Sequence, residues 1–100
     1  MAFEWDERKR RANLAKHGVD FAFVTRMFDG PTLEAADTRR PYGETRIGAF
    51  GAVENDVFFV VYAWRGNHRR IISARKAGSN ERKIYRATVT RAGKTGPRGD

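Results

Sequence analysis

Residues 57–64 read VFFVVYAW and are apolar at every position, and this segment constrains the fold more than any other in the chain. No apolar run approaches the ~18 residues that a membrane-spanning helix needs. A short apolar run of this kind is typical of a central strand that is covered on both faces. Glu54-Asn55 precedes it and Gly66-Asn67 follows it, and both pairs predict tight turns to neighbouring strands. The sequence therefore predicts an antiparallel meander with this segment in the middle.

Alternating apolar and polar residues predict the two flanking strands, over residues 44–53 and 69–75. In the second strand, strict alternation places Arg69, Ser73 and Arg75 on one face. The first residues, FEW, alternate like a very short strand or a packed arm. The region from residue 32 to 43 gives weak signals, and DTRRP within it is predicted to be an exposed loop.

Three helices are predicted around these strands. Asp6 is a suitable N-cap for a helix ending near His17, and Asp20 can cap a second helix with apolar residues at i, i+3 and i+7. A third begins at residue 78 or 79 and runs to about Ala92. We expect an α+β fold, with a small antiparallel sheet of three to four strands and two N-terminal helices and one C-terminal helix packed on one side. One domain covers residues 1–92, and residues 93–100 form a flexible tail.

The excess positive charge lies in one late segment. The chain carries 20 Lys and Arg against 12 Asp and Glu, and residues 65–91 hold nine of the basic residues with a single acid, Glu81. The eleven basic and eleven acidic residues elsewhere cancel. A concentrated basic patch implies a polyanionic partner, either nucleic acid or an acidic protein. The alternative is a solvated face that only maintains solubility.

Several chemistries are excluded by residue usage. The chain has no cysteine, and His17 and His68 are isolated, so neither a disulfide nor a metal site is predicted. No glycine-rich cofactor loop is present, and we expect no cofactor. The first residues lack the apolar segment of a secretory signal, so we expect a small cytoplasmic protein with no membrane association.

Four residues form the predicted catalytic set: Arg65, Arg75, Glu81 and Tyr85. Arg75 leads into the start of the third helix, where unpaired N–H groups and the helix dipole favour a phosphate. Glu81 and Tyr85 are spaced i, i+4 and share one helix face. Together these groups can hold a phosphate, supply positive charge to a developing phosphorane and offer an acid or base, which suffices for metal-free RNA cleavage by the 2′-hydroxyl.

Five further residues are predicted to bind RNA: Arg69, Arg70, Lys76, Arg82 and His17. Structural alternatives remain open for both sets. Glu81 can serve only as a helix cap, and Tyr85 can be a core aromatic with its hydroxyl at the rim. Arg65 can lie at a turn without a functional role, and Arg69 and Arg70 can protect a sheet edge. His17 can interact favourably with the C-terminal end of its helix.

Several segments together resemble the BrnT toxins, which are ribonuclease toxins of bacterial type II toxin–antitoxin systems. The resemblance covers roughly residues 3–88 and rests on these stretches: FEWDERKRRANLAKHGVDF, MFDGP, ETRIG, FFVVYAWRG and RRIISARKAGSNERKIY. It implies a fold similar to the RelE toxins, RNA cleavage that halts translation, and a cognate BrnA-type antitoxin. It also implies that operator DNA is bound only through the toxin–antitoxin complex.

Two functions are compatible with these features: a metal-independent endoribonuclease toxin, or a non-catalytic module that binds nucleic acid or protein through the same arginines. Both predict a basic patch, but only a catalyst shows a pH dependence of turnover. Arg65 and Arg75 end adjacent antiparallel strands at opposite edges, about 20 Å apart, so we expect them to serve different parts of an RNA groove.

Overall fold

A computed structural model describes residues 2–95, with side chains through residue 91. The elements in chain order are β1 (Ala2–Glu4), α1 (Glu7–His17), α2 (Phe21–Val24), a 3₁₀ helix (Thr25–Asp29), β2 (Leu33–Ala36), β3 (Ile47–Val53), β4 (Asp56–Arg65), β5 (His68–Lys76) and α3 (Ser79–Thr95). The strands form one sheet in the order β1-β5-β4-β3-β2. Within the described residues, no helix combines the length and apolar character that crossing a membrane requires.

The predicted meander is confirmed, but the sheet is larger than predicted. β3, β4 and β5 pair antiparallel with β4 in the centre. β1 adds a parallel strand beside β5, and β2 adds an antiparallel edge beside β3. The prediction of three to four purely antiparallel strands is therefore wrong. The sequence of β2 is LEAA, and Glu and Ala have low strand propensity, so this strand depends on pairing with β3 rather than on its own composition.

Both N-terminal helices begin at the predicted caps. The carboxylate of Asp6 accepts a hydrogen bond from the Arg8 N–H at 2.8 Å, and that of Asp20 accepts one from the Ala22 N–H at 3.1 Å. α1 ends at Gly18, whose φ of 70° is the left-handed conformation that glycine adopts readily. The second helix, α2, ends at Val24, and the 3₁₀ helix continues the chain from Thr25 to Asp29. The α-helical part is therefore shorter than predicted.

The third helix extends to Thr95, beyond its predicted end. The rest of the predicted tail, residues 96–100, lies outside the described residues.

A bulge in β5 changes which side chains share a face. The register of β4 and β5 shifts by one residue between Val61 and Tyr62, so Ile72 has no partner across the ladder. One extra residue reverses the alternation of faces beyond it. Arg69 and Arg75 consequently lie on opposite faces of the sheet, and the prediction that they share one is wrong.

The two faces of the sheet are covered by different elements. One, the core face, packs against α2 and the 3₁₀ helix through buried residues that include Phe21, Val24 and Met27. The other, the groove face, packs against α3 through Tyr85 and Val89. The expectation that all helices lie on one side is therefore wrong. Because β4 is apolar on both faces, each face requires cover.

A buried side chain joins α1 to the outer edge of β5. The Asn13 amide nitrogen donates to the carbonyl oxygens of Val19 and Ala74 at 3.0 and 2.8 Å, and its oxygen accepts the Ala74 N–H at 3.1 Å. β1 pairs with β5 only at residues 68–70. The Asn13 amide thus takes the place of a neighbouring strand at Ala74, one residue before Arg75.

Candidate functional site

An open groove lies on the groove face, between the start of α3 and the loop that follows β2. Its volume is about 490 Å³, within the range of roughly 300–1,000 Å³ typical of small-molecule sites. The floor is formed by β3 and β4 through Gly48, Phe50 and Phe59. One wall carries Arg75 with Glu81, and the opposite wall is formed by residues 33–39. Two polar walls therefore flank an apolar floor.

Arg75 is held in a fixed position on the first wall. Its two terminal nitrogens donate to the two carboxylate oxygens of Glu81 at 2.8 and 3.0 Å. The guanidinium also lies 4.8 Å from the ring centroid of Phe59. A two-point contact to a carboxylate fixes the plane of an arginine as well as its position. The predicted association of Arg75 with the start of α3 is thus present in the structure.

Glu81 also caps α3, because its carboxylate accepts the Gly78 N–H at 2.7 Å. The hydrogen bonds from Arg75, and secondly from Gly78, lower the pKa of Glu81 to about 2. At neutral pH the group is ionised and a weak base. Glu81 therefore caps the helix, as one of the sequence alternatives expects, and the same carboxylate positions Arg75, while a catalytic role for Glu81 stays a prediction.

A second arginine on the opposite wall is held in the same way. The Arg39 guanidinium donates to both carboxylate oxygens of Asp37 at 2.8 and 2.7 Å. The Asp37 side chain is only 5% exposed, whereas that of Arg39 is 67% exposed. Hydrogen bonds from Arg39, aided by the Tyr42 hydroxyl, hold the pKa of Asp37 well below its usual range. A buried carboxylate thus anchors an exposed cation.

The two guanidinium groups act on one another across the groove. The contact with Glu81 raises the pKa of Arg75, while the charge of Arg39 acts in the opposite direction. Each guanidinium is already paired with a carboxylate, so an anion that enters the groove competes with Asp37 and Glu81 for the N–H donors. The groove therefore presents two oriented guanidinium groups, each paired with a carboxylate, on its two walls.

Tyr85, placed in the predicted catalytic set, lies in the core under α3. Its hydroxyl donates to the Pro31 carbonyl oxygen at 2.6 Å, and burial raises the pKa of the phenol. The side chain is 3% exposed and packs with Val57 and Ala77. This geometry gives the hydroxyl a structural partner, and a catalytic role for Tyr85 stays a prediction.

Replacing Tyr85 with phenylalanine separates the two roles. We expect kcat for RNA cleavage to change less than about twofold, and the free energy of unfolding to fall by about 1 kcal/mol because the Pro31 carbonyl loses its donor. Urea unfolding and single-turnover cleavage measure the two quantities. A tenfold loss of kcat at unchanged stability would instead assign the hydroxyl to the chemistry.

Arg65 lies at the far end of β4, as predicted. Arg65 pairs with His68 whereas Phe59 pairs with Arg75, so the two arginines are six residues apart along β4, which corresponds to about 20 Å. The Arg65 guanidinium approaches Glu44 at 3.5 Å. The structure therefore does not bring Arg65 and Arg75 together.

The two arginines predicted to bind RNA near the start of β5 contact other parts of the protein. Arg69 lies on the core face, with its guanidinium carbon 4.4 Å from the ring centroid of Phe28 and 4.7 Å from that of Trp64. Arg70 donates to the Glu4 carboxylate at 2.8 Å. Both residues join elements of the fold, and neither lines the groove.

The remaining three predicted RNA-binding residues also lie away from the groove. Lys76 ends β5 on the core face, because it pairs with Phe58. Arg82 donates to the Ala77 carbonyl oxygen at 3.2 Å, and His17 is the exposed last residue of α1. Their predicted RNA contacts remain predictions for surfaces outside the groove.

Sequence reasoning missed the opposite wall and the floor. Asp37 and Arg39 lie in a loop predicted only as exposed, and the strand patterns that contain Phe50 and Phe59 give no sign of a groove. The D-x-R spacing of Asp37 and Arg39 is the one local indication of this wall, because an aspartate can form an ion pair with an arginine two residues later. Within the described part of the chain, no three His, Cys, Asp or Glu side chains are grouped as metal ligands.

The fold and the groove define a class of protein: a small basic α+β domain with two carboxylate-paired arginines in one groove. Residues 5–81 match the family model described as the ribonuclease toxin BrnT of type II toxin–antitoxin systems. The chain belongs to this family. A comparison with curated proteins gives no match.

Proposed function

We propose that the groove cleaves RNA without a metal ion, using Arg75 as the principal charged donor and Arg39 as a second one. The observation that carries this proposal is the pair of guanidinium groups, each fixed by a carboxylate, on opposite walls of one groove. Family membership supplies the ribonuclease activity. The proposal adds where the reaction takes place and which groups stabilise it.

The reaction is attack of a ribose 2′-oxygen on the adjacent phosphorus. A bond forms between phosphorus and the 2′-oxygen as the 2′-hydroxyl gives its proton to a base, and the bond to the 5′-oxygen breaks. The 5′-oxygen takes a proton from water, so a 2′,3′-cyclic phosphate and a 5′-hydroxyl result. Negative charge increases on the non-bridging oxygens in the transition state. N–H donors already fixed in position stabilise that charge at little reorganisation cost, and such donors are typically worth ~10²–10³-fold in rate.

Phosphate binding is also expected to change the pKa of Glu81. A phosphate that takes N–H donors of Arg75 weakens the hydrogen bond that contributes most to lowering the pKa of Glu81. The pKa then rises from about 2 towards its ordinary value, and the carboxylate becomes a better proton acceptor. Glu81 is thus the proposed base, whose strength increases only when the substrate is bound.

RNA cleavage by the purified protein should persist in EDTA. The groove supplies positive charge through arginines, so removing divalent ions should change the rate less than about twofold at fixed ionic strength. A heat-denatured sample is the control for contaminating nucleases, and the Arg75→Ala variant, purified identically, controls for co-purified ones. RNA that is bound but never cut, at any pH, would instead support a non-catalytic binding module.

We also propose that the toxin acts in the cytoplasm and that its partner is a BrnA-type antitoxin that covers the groove. An acidic or amphipathic segment laid across two exposed guanidinium groups competes directly with RNA. Operator DNA is proposed to be bound only through the toxin–antitoxin complex.

Saturating antitoxin should abolish both RNA binding and cleavage. Fluorescence anisotropy of labelled RNA, titrated with the antitoxin, measures the competition. Cleavage that continues unchanged in the saturated complex would show that neutralisation does not involve the groove. A DNA footprint made by the toxin alone at physiological salt would contradict the proposed route to operator binding.

A further inference from the structure

The groove floor is aromatic, a feature that binding of a phosphate does not explain. The rings of Phe50 and Phe59 lie side by side with centroids 4.7 Å apart and planes inclined by 42°. Both side chains are half-buried and line the groove, so part of each ring faces the cavity. The Phe59 ring also lies beside Arg75, but an anion site needs no second ring next to it.

Gly48 makes room for this floor. A Cβ at this position would lie 2.7 Å from Cζ and 2.9 Å from Cε1 of Phe59, closer than van der Waals contact allows. The Phe59 ring therefore lies directly over the backbone of β3, and any side chain at residue 48 would displace it. The absence of a side chain at Gly48 fixes the height of the floor within the groove.

Cationic walls and an aromatic floor are complementary to one nucleotide. Aromatic rings stack on the face of a base, while arginines on the rim contact the attached phosphate. The volume of about 490 Å³ suits a group of that size rather than a folded surface. We infer that the Phe50–Phe59 floor is a subsite for one unpaired RNA base, adjacent to the phosphate held between Arg39 and Arg75. This inference rests on the proposed function and deepens it.

The subsite restricts the substrate to unpaired RNA. The bases of a helix are stacked inside it and expose only their edges, so a base reaches the floor only after leaving the stack. Single-stranded RNA avoids the unstacking cost of a few kcal/mol that a duplex has to meet. Because every base has a π-face, the subsite itself selects strand state more strongly than sequence.

Binding of RNA that cannot be cleaved tests the subsite directly. The probe is a short fluorescent 2′-O-methyl oligoribonucleotide, which lacks the attacking hydroxyl, compared with its blunt duplex at equal ionic strength. We expect the single strand to bind at least about fivefold more tightly than the duplex, the lower end of what one base stacked on an aromatic contributes.

Three variants test which residues are responsible. Phe50→Leu removes one ring of the floor, Gly48→Ala displaces the Phe59 ring, and Phe23→Leu is the matched control on the core face. Phe50→Leu should weaken single-strand binding by about fivefold or more and leave duplex binding unchanged. Gly48→Ala should weaken single-strand binding at least as much, and because it also moves the ring beside Arg75, it should weaken duplex binding as well. In cleavage assays Phe50→Leu should raise KM without lowering kcat. Circular dichroism checks that each variant is folded.

The outcomes distinguish this inference from the proposed function. If RNA is cleaved but the floor variants bind the single strand as the wild type does, the subsite is wrong and the proposed function stands. If the floor variants lose affinity yet no RNA is cleaved, the subsite stands and the proposed function fails. Equal affinity for single strand and duplex overturns the subsite in either case.

Discussion

Replacing Arg75 with alanine should lower kcat for RNA cleavage by ~10²-fold or more, with a much smaller change in affinity for RNA. The guanidinium is held in a fixed orientation by Glu81 at 2.8 and 3.0 Å before substrate arrives, and the phosphate then takes N–H donors from that carboxylate. Single-turnover kinetics measure kcat, and anisotropy with the 2′-O-methyl probe measures affinity. The fold should persist, because Glu81 keeps its hydrogen bond to the Gly78 N–H.

Arg65→Ala is the matched control for this variant. Arg65 ends the strand paired with β5 but lies about 20 Å from Arg75, beside Glu44. We expect it to lose affinity rather than turnover, with the slope of log K against log salt reduced by about one if it contacts a phosphate. Equal losses of kcat at unchanged affinity for both variants would contradict the separation of their roles.

Arg75→Lys tests whether a positive charge alone is sufficient at this position. Lysine keeps the positive charge but cannot make the planar, two-point contact that arginine makes with a carboxylate or phosphate. We expect it to recover only part of the lost kcat. Full recovery would show that charge alone acts at this position and that the fixed orientation of the guanidinium contributes nothing.

The sequence predicts the parts of this fold that depend on local pattern. The double-sided apolar segment at 57–64 identifies the central strand, and Asp6 and Asp20 identify two helix starts, because each rests on neighbouring residues. The bulge at Ile72 depends on how two strands pair, which alternation within one strand does not reveal. That single unpaired residue is why the predicted face of Arg69 is wrong.

The candidate site likewise has parts that the sequence predicts and parts that depend on how distant segments pack together. Arg75 and Glu81 are found from the sequence because the end of a strand and the first turn of the next helix are close in the chain. Arg39 enters the groove only because β2 pairs with β3 and carries the following loop over the floor. Phe59 belongs to a strand that looks fully buried, and only the incomplete cover by α3 leaves its ring facing the groove.

Asn13→Ala should lower the free energy of unfolding by about 2–4 kcal/mol, a larger loss of stability than Tyr85→Phe should cause. The amide makes three hydrogen bonds to the backbone of Val19 and Ala74, all in a buried setting. Alanine leaves those backbone groups without a partner and without access to water, which costs more than the loss of an exposed hydrogen bond. Urea unfolding measures the change.

Two further variants show whether hydrogen bonding at Asn13 is the cause. Asn13→Asp keeps an acceptor for the Ala74 N–H but places a carboxylate against two carbonyl oxygens, so it should destabilise at least as much as alanine at neutral pH. Asn80→Ala, on the exposed first turn of α3, is the matched control and should change stability by less than about 0.5 kcal/mol.

Because Ala74 precedes Arg75, a loosened β5 edge should also misplace the Arg75 guanidinium. Asn13→Ala should therefore lose kcat at temperatures where it remains folded, and unchanged kcat there would show that Asn13 stabilises the fold without positioning Arg75.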